Sequence, residues 1–303
     1  MFRRFALVWA VVVASCLSAP AFAGAVPQPV SAWYMYATTP SSLRAEAYYH
    51  GYNFAQHHPG GYRLLVLDFG AARKLNGSTW GSVAFGNPST AFSNIDILGA
   101  LQSTADGVHN GYAAGNTIIA YGNSNYHMSS SGMSQSDAWA AGYYQSTRVK
   151  NLNDYQRASN YNMQGAAAAS DIEPSWESAA MSRQLVNGVS DHGWALVYDF
   201  GSADGCPSSG SGGSCNNGWT VGDVAYVSYH GSAVPLPEIY YPVNADQWTV
   251  VRRWWNNTAQ APFYFWGTTA EIAPGVLTPT QGWNALNDRN SDSVLSELIC
   301  FGY

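Results

Sequence analysis

Charge is scarce in this chain. Only 11% of its 303 residues are Asp, Glu, Lys or Arg, against roughly a quarter in ordinary soluble proteins. The 13 basic residues are outnumbered by 19 acidic ones, for a formal net charge of −6. They stand singly or in pairs such as Arg252-Arg253. With no basic stripe to neutralise phosphates, the composition argues against nucleic acid or an anionic membrane surface as partner. Long apolar runs are also missing beyond the N-terminus, so no later segment supplies the roughly 20 residues of a transmembrane helix. Several catalytic signatures are absent too. No Gly-x-Ser-x-Gly elbow lies between a strand and a helix, which argues against a serine hydrolase. The histidines (His50, His57, His58, His109, His127, His192 and His230) show no His-Glu-x-x-His spacing, so zinc hydrolysis is not expected. Neither a metal nor a cofactor is expected from any other motif.

Cysteine is sparse, with four in all. Cys206 and Cys215 flank a Pro-Ser-Gly stretch with nothing to pack a core, and neither has a further Cys or His at ligand spacing. A disulfide closing this short loop is expected, in an oxidising compartment. Cys300 is left over and reads as a buried thiol. The N-terminus agrees with such a compartment. Arg3 and Arg4 precede an apolar run over 5–15, and Ala21-Phe22-Ala23 supplies a small-x-small cleavage pattern, so residues 1–23 read as a signal peptide and the mature protein as secreted. The competing reading uses Val13-Ala14-Ser15-Cys16 as a lipobox, with a lipid anchor on Cys16.

What is plentiful is aromatic: 12 Trp and 20 Tyr, set among Ser, Asn and Gly. Many of these rings are expected to fill a core, but flat rings beside hydroxyls and amides also suit a sugar-binding groove. Residues 24–303 suit one large domain. Strands are expected at 62–70, 117–122, 165–172, 194–200, 223–229, 237–241 and 262–266, with 82–85 as an eighth. Helices are expected at 94–112, at 134–145 behind a Ser134 cap, at 178–190 and at 279–287. Strands alternating with helices predict a parallel sheet, and this number fits an α/β (β/α)₈ TIM-barrel-like single domain. A doubly wound sheet is the alternative, although the Gly-rich phosphate loop common in that class is missing. The barrel is favoured because Asp68, Tyr121, Asp171, Glu173, Asp199, Tyr229, Glu238 and Trp266 all fall at or near the C-terminal ends of expected strands, where barrel enzymes gather their chemistry.

The sharpest site is Ser170-Asp171-Ile172-Glu173-Pro174-Ser175-Trp176, after four alanines. Carboxylates two residues apart on an extended chain point the same way, and crowding raises the pKa of one of them. One protonated and one ionised carboxyl is what glycoside hydrolysis requires. Trp176 offers a stacking face for a sugar. A purely structural pair, with Asp171 tied to loop amides and Glu173 capping the next helix, is the competing reading. Asp199, in Asp199-Phe200-Gly201, repeats the Asp68-Phe69-Gly70 pattern and either lines the site or ties down a loop. Glu238 is the runner-up acid, pairing with Glu173 if Asp171 is structural.

The Asp-x-Glu at a strand end, with Leu67-Asp68-Phe69 and Ala120-Tyr121-Gly122, resembles the glycoside hydrolase family 25 lysozymes and related barrels. That resemblance implies Glu173 as general acid, with Asp171 and Asp68 supporting an oxocarbenium-like centre. The family's Trp-Gln-Tyr-type strand has only echoes here, in Gln247-Trp248 and Phe265-Trp266-Gly267. A second likeness, to exported bacterial proteins of no assigned activity, is carried by residues 67–70, 122–126, 171–176, 205–219 and 237–240. The expected function is an exported glycosidase acting on a polysaccharide or peptidoglycan glycan. The alternatives are a non-catalytic carbohydrate- or wall-binding protein on the same scaffold, and a structural or interaction protein with no cleft.

Overall fold

The first strand, β1 (Val30–Tyr34), and the last, β10 (Val294–Phe301), lie side by side in parallel, so the two ends of the domain meet inside one sheet. The structure is a computed structural model describing residues 26–302 apart from Gly86 and Pro88. The expected signal peptide over 1–23, including Cys16, lies outside the described residues.

Between β1 and β10 the order is α1 (Pro40–His57), β2 (Tyr62–Asn76), β3 (Thr79–Val83), β4 (Ala91–Ser93), α2 (Asn94–Tyr112), β5 (Asn116–Ser124) and α3 (Gln135–Ala158). Then come β6 (Gln164–Asp171), α4 (Ala179–His192), β7 (Val197–Asp199), α5 (Val221–Tyr229), β8 (Ala233–Pro235), α6 (Pro242–Ala259), β9 (Phe265–Glu271) and α7 (Pro279–Asn290). Eight strands form the path β8-β7-β6-β5-β2-β1-β10-β9, every neighbouring pair parallel. The ends of that path join. Thr269 of β9 donates its N–H to Pro237 O at 2.8 Å and accepts from Ile239 N at 3.1 Å, while its hydroxyl donates to Leu236 O at 2.6 Å. A sheet that closes on itself with helices outside is a TIM-barrel-like fold, and the doubly wound alternative is set aside.

Local sequence explains the elements. Leu64, Leu65, Val66 and Leu67 are fully buried in β2, as a strand covered on both faces requires. Helices begin where hydroxyl and carboxyl or amide side chains form reciprocal caps: Ser93 with Asp96, Ser134 with Asp137, Thr220 with Asp223, and Thr278 with Gln281. The outer layer is held tightly where Gly142 of α3 and Gly188 of α4 face each other. A Cβ at either would lie about 2 Å from a carbonyl of the opposite helix, so only glycine allows this approach.

Three strand expectations are corrected. Residues 223–229 form most of α5, because the Thr220–Asp223 cap opens a helix there. Of residues 82–85 only Ser82 and Val83 lie in a strand, the end of β3, which pairs antiparallel with β2 off the barrel path. The eighth strand, β8, ends at Pro235, and 237–241 contributes only the bridge between Glu238 and Thr269. The barrel is completed instead by β1 and β10. Cys206 and Cys215 are bridged, and Cys300 is a free, buried thiol. Among the described residues no helix is long and apolar enough to cross a membrane.

Candidate active site

Five strand ends or their continuations carry the chemistry. Tyr34 ends β1 in register with Asp68 of β2. Asp171 ends β6, with Glu173 two residues beyond. Glu238 follows β8, and Glu271 ends β9. All lie toward the C-terminal mouth of the barrel. Among them Tyr34 stacks on Phe301 at 4.5 Å between ring centroids, and Phe301 stacks on Phe200 at 5.3 Å. These rings pack at the level of the acids and keep water from them.

Asp171, Glu173 and Glu238 each present a carboxylate oxygen within 4.8 Å of the other two, and all three are buried. Oxygens so close can share a proton or a hard cation. The arrangement is fixed by neighbours. Asn125 Oδ1 accepts from Glu173 N at 3.1 Å, and its Nδ2 donates to Glu173 O at 3.0 Å and to Ser182 Oγ at 2.9 Å. The Tyr240 hydroxyl donates to Glu238 Oε1 at 2.6 Å. Asp68 Oδ1 accepts from Gly70 N at 2.7 Å, whereas Asp68 Oδ2 and Asp171 Oδ1 are buried with no hydrogen-bond partner.

Burial dominates the electrostatics, because desolvation disfavours the charged form of each acid. It raises Asp68 to about 7. Glu173 also rises to about 7, from burial first and then from the charge of Asp204. Asp171 is pushed well above the carboxylate range by burial, with Glu238, Glu173 and Asp68 adding to it in that order. Glu238 rises well above its ordinary value through burial and the facing charge of Glu173. Glu173 and Glu238 act on each other, and the repulsion between their charges favours a single proton held between them. The Tyr34 phenol is held strongly protonated by burial and by Asp171, Glu238, Asp68 and Glu271.

Of these acids Asp171 lines a cavity of about 190 Å³, together with Tyr34, Tyr36, Phe85 and Trp176. Trp176 packs edge-on against Tyr126 at 5.3 Å and tilted against Phe85 at 5.9 Å.

The expected site residues divide. Asp68, Asp171, Glu173, Glu238 and Trp176 come together at this mouth. Asp199 ends β7 but is tied to α5, accepting from Ser228 Oγ at 2.5 Å; its own value rises to about 7 by burial, and it reaches Asp171 only through its charge. The Tyr121 ring is buried and its hydroxyl donates to Asn94 Oδ1 of α2 at 2.9 Å, which places it between sheet and helices. Tyr229 lies on α5, stacked on Phe263 and edge-on to Trp255, in the outer layer. Trp266 is the second residue of β9 and packs on Tyr198, whose hydroxyl meets that of Tyr62 at the start of β2; that is the opposite end of the barrel. Sequence reading did not single out Tyr34, Tyr36, Phe85, Asn125 or Tyr240. Asn125 and Tyr240 do lie inside the quoted motifs 122–126 and 237–240, and that was the one signal available for them.

No family model matches the chain, and no curated protein matches it. Among solved structures, the chain is similar to the apo form of the homocysteine methyltransferase MmuM from Escherichia coli. The two share 9% identity with a TM-score of 0.45, over 90% of each chain. A likeness at that level carries no statement about chemistry.

Proposed function

We propose that this protein is an exported glycosidase that hydrolyses a polysaccharide or cell-wall glycan through Glu173 and Glu238. The observation that carries this reading is the buried trio of Asp171, Glu173 and Glu238, with oxygens within 4.8 Å, beside an aromatic cavity. Retaining glycosidases hold their two carboxyl groups about 5–5.5 Å apart and inverting ones farther. Oxygens within 4.8 Å are closer than either, so this reading takes the nearer, retaining geometry and has Glu173 and Glu238 part around the substrate. In this reading Glu238 keeps its proton and delivers it to the glycosidic oxygen. Ionised Glu173 attacks the anomeric carbon as the bond to the leaving sugar breaks. Water, deprotonated by Glu238, then releases the sugar from Glu173. Asp171 and Asp68 lie against the ring, where developing positive charge draws them toward their ionised forms, and Trp176 stacks on it. The roles differ from those implied by the family-25 resemblance, where Glu173 is the acid. The Ala21-Phe22-Ala23 pattern and the Cys206–Cys215 bridge support export.

The test is release of reducing ends from a panel of wall and plant glycans by wild type, Glu173→Gln and Glu238→Gln. Each variant should stay folded and lose about 10²–10⁴-fold in rate. Aryl glycosides with good leaving groups should restore the first step of Glu238→Gln, seen as a burst of released phenol followed by slow turnover. They should restore neither step of Glu173→Gln, which has lost its nucleophile. Undiminished hydrolysis in both variants would overturn the assignment. No hydrolysis by wild type, with retention on an insoluble glycan, would favour a binding protein.

A further inference from the structure

The cavity has a chemical bias that the glycosidase reading alone does not require. Four of its lining residues are rings, Tyr34, Tyr36, Phe85 and Trp176, and the fifth is Asp171. Asp171 is 1% exposed, and its Oδ1 lacks any hydrogen-bond partner. A buried acceptor without a partner, on a residue that lines a cavity, is costly unless a ligand supplies the donor. Every ionisable group acting strongly on this region is an acid: Glu238, Glu173, Asp68 and Asp199 on Asp171, Glu271 on Tyr34, and Asp204 on Glu173. No Lys, Arg or His lines the cavity among the described residues. Arg73, behind Tyr126, donates to the carbonyls of Ala72 and Tyr126 at 2.8 Å and faces Glu177, so its charge is already engaged.

An anionic sugar entering this field would be repelled. A neutral one satisfies Asp171 with a hydroxyl but leaves the mutual repulsion of the acids uncompensated whenever they ionise. An ammonium group does both. Beside it Asp171 ionises, releasing its proton to solvent, and a charge-assisted bond to the resulting carboxylate is about twice as strong as a neutral one. The electron-rich ring faces attract cations as well. At about 190 Å³ the cavity is smaller than the roughly 300–1,000 Å³ of drug-sized sites, which suits a single sugar ring. We propose that the cavity takes an amino sugar with a free amine, its ring face on Trp176 and its ammonium on Asp171 Oδ1, so that the substrate is a de-N-acetylated glycan. This names the substrate class of the proposed glycosidase and rests on that reading for turnover, but not for binding.

The experiment is calorimetric titration of the intact protein at neutral pH with four oligosaccharides of equal length: glucosamine, N-acetylglucosamine, glucose and galacturonate oligomers. The expected result is about tenfold or tighter binding of the free-amine oligomer over its acetylated counterpart, weakened by salt, with no binding of the uronate. Asp171→Asn should erase the preference. Trp176→Ala should weaken all sugars while leaving the preference intact, which keeps the test decisive if Asp171→Asn does not fold. Equal or tighter binding of the acetylated, neutral or anionic oligomer would overturn the inference. So would a stoichiometric divalent cation in the purified protein whose chelation removes the preference. Free-amine preference without hydrolysis would sink the glycosidase and keep this inference; hydrolysis of acetylated or neutral glycans alone would do the reverse.

Discussion

Asn125 holds the main chain of Glu173 from both sides, accepting from its N–H at 3.1 Å and donating to its C=O at 3.0 Å. Asn125 is itself fully buried and leans on Ser182 of α4, so the position of the Glu173 carboxyl is referenced to strand β5 and helix α4 together. Asn125→Ala leaves two buried backbone groups unpaired, at about 1–3 kcal/mol each. Because a small misplacement at a reacting centre costs up to about 10²-fold, kcat should fall roughly 10–100-fold while sugar affinity changes little. Asn125→Asp, which keeps the acceptor for Glu173 N–H but loses both donors, should fall between. Steady-state kinetics beside thermal melts check this. An unchanged kcat in a destabilised protein would reduce Asn125 to a structural tie.

Asp199 is expected to matter for stability rather than turnover. Its folded pKa of about 7 lies above the usual 3.8, so between those values the native protein holds a proton that the unfolded chain has released. Stability therefore falls as pH rises through that window. Asp199→Asn keeps an oxygen for the Ser228 hydroxyl and removes the titration, so its melting temperature should gain on wild type from pH 4 to 7. Hydrolysis should remain within a few-fold of wild type. A parallel pair of melting curves across that range, or turnover lost as in Glu173→Gln, would contradict this placement.

Trp176 and Trp266 make a paired prediction. Trp176→Ala removes a cavity wall and should weaken sugar binding about tenfold, a typical weight for one aromatic contact. Trp266→Phe, at the far end of the barrel against Tyr198, should leave binding within about twofold, as should Tyr229→Phe in the outer layer. Titration with the best-bound oligosaccharide decides it, and a large loss from Trp266→Phe would mean that the ligand enters from the other end.

The contrast between those two tryptophans shows which part of the site was legible in the sequence. Strands β2, β5 and β6 could be read because buried apolar or small-residue runs end abruptly in polar residues, and that same ending exposes Asp68 and Asp171 as rim residues. Strand β1 is only five residues long and β10 carries Ser296 and Glu297 at its centre, so neither shows such a run. Val221–Tyr229 has enough Val and Tyr to pass for a strand, and only the reciprocal cap of Thr220 with Asp223 identifies it as helix. The meeting of Glu238 with Glu173 was foreseen only as an alternative. It depends on how far the chain runs beyond β8 before it bridges to Thr269, and no local pattern encodes that distance.

The β7–α5 loop offers the last prediction, because it couples a covalent tie to an electrostatic one. Cys206 and Cys215 close a loop of sequence separation 9, and Gln247 Nε2 donates to Cys206 O at 3.0 Å. Just past the bridge, Trp219 is fully buried and its Nε1 donates to Glu177 O at 2.7 Å. Asn216 N in turn donates to Asp204 O at 3.1 Å, which holds Asp204 where its charge raises Glu173. Replacing both cysteines by serine should cost about 2–3 kcal/mol of stability, the usual range for a short closed loop, while Trp219 keeps the fold intact. With the loop loosened, Asp204 should act less on Glu173, whose value of about 7 should then drift down toward the ordinary carboxylate range. Since Glu173 works ionised in the proposed reaction, the acidic limb of the pH–rate profile should move to lower pH, with the maximal rate reduced less than about tenfold. Asp204→Asn should shift the limb the same way without the loss of stability. A limb that stays in place in both variants would show that burial alone sets the acidity of Glu173.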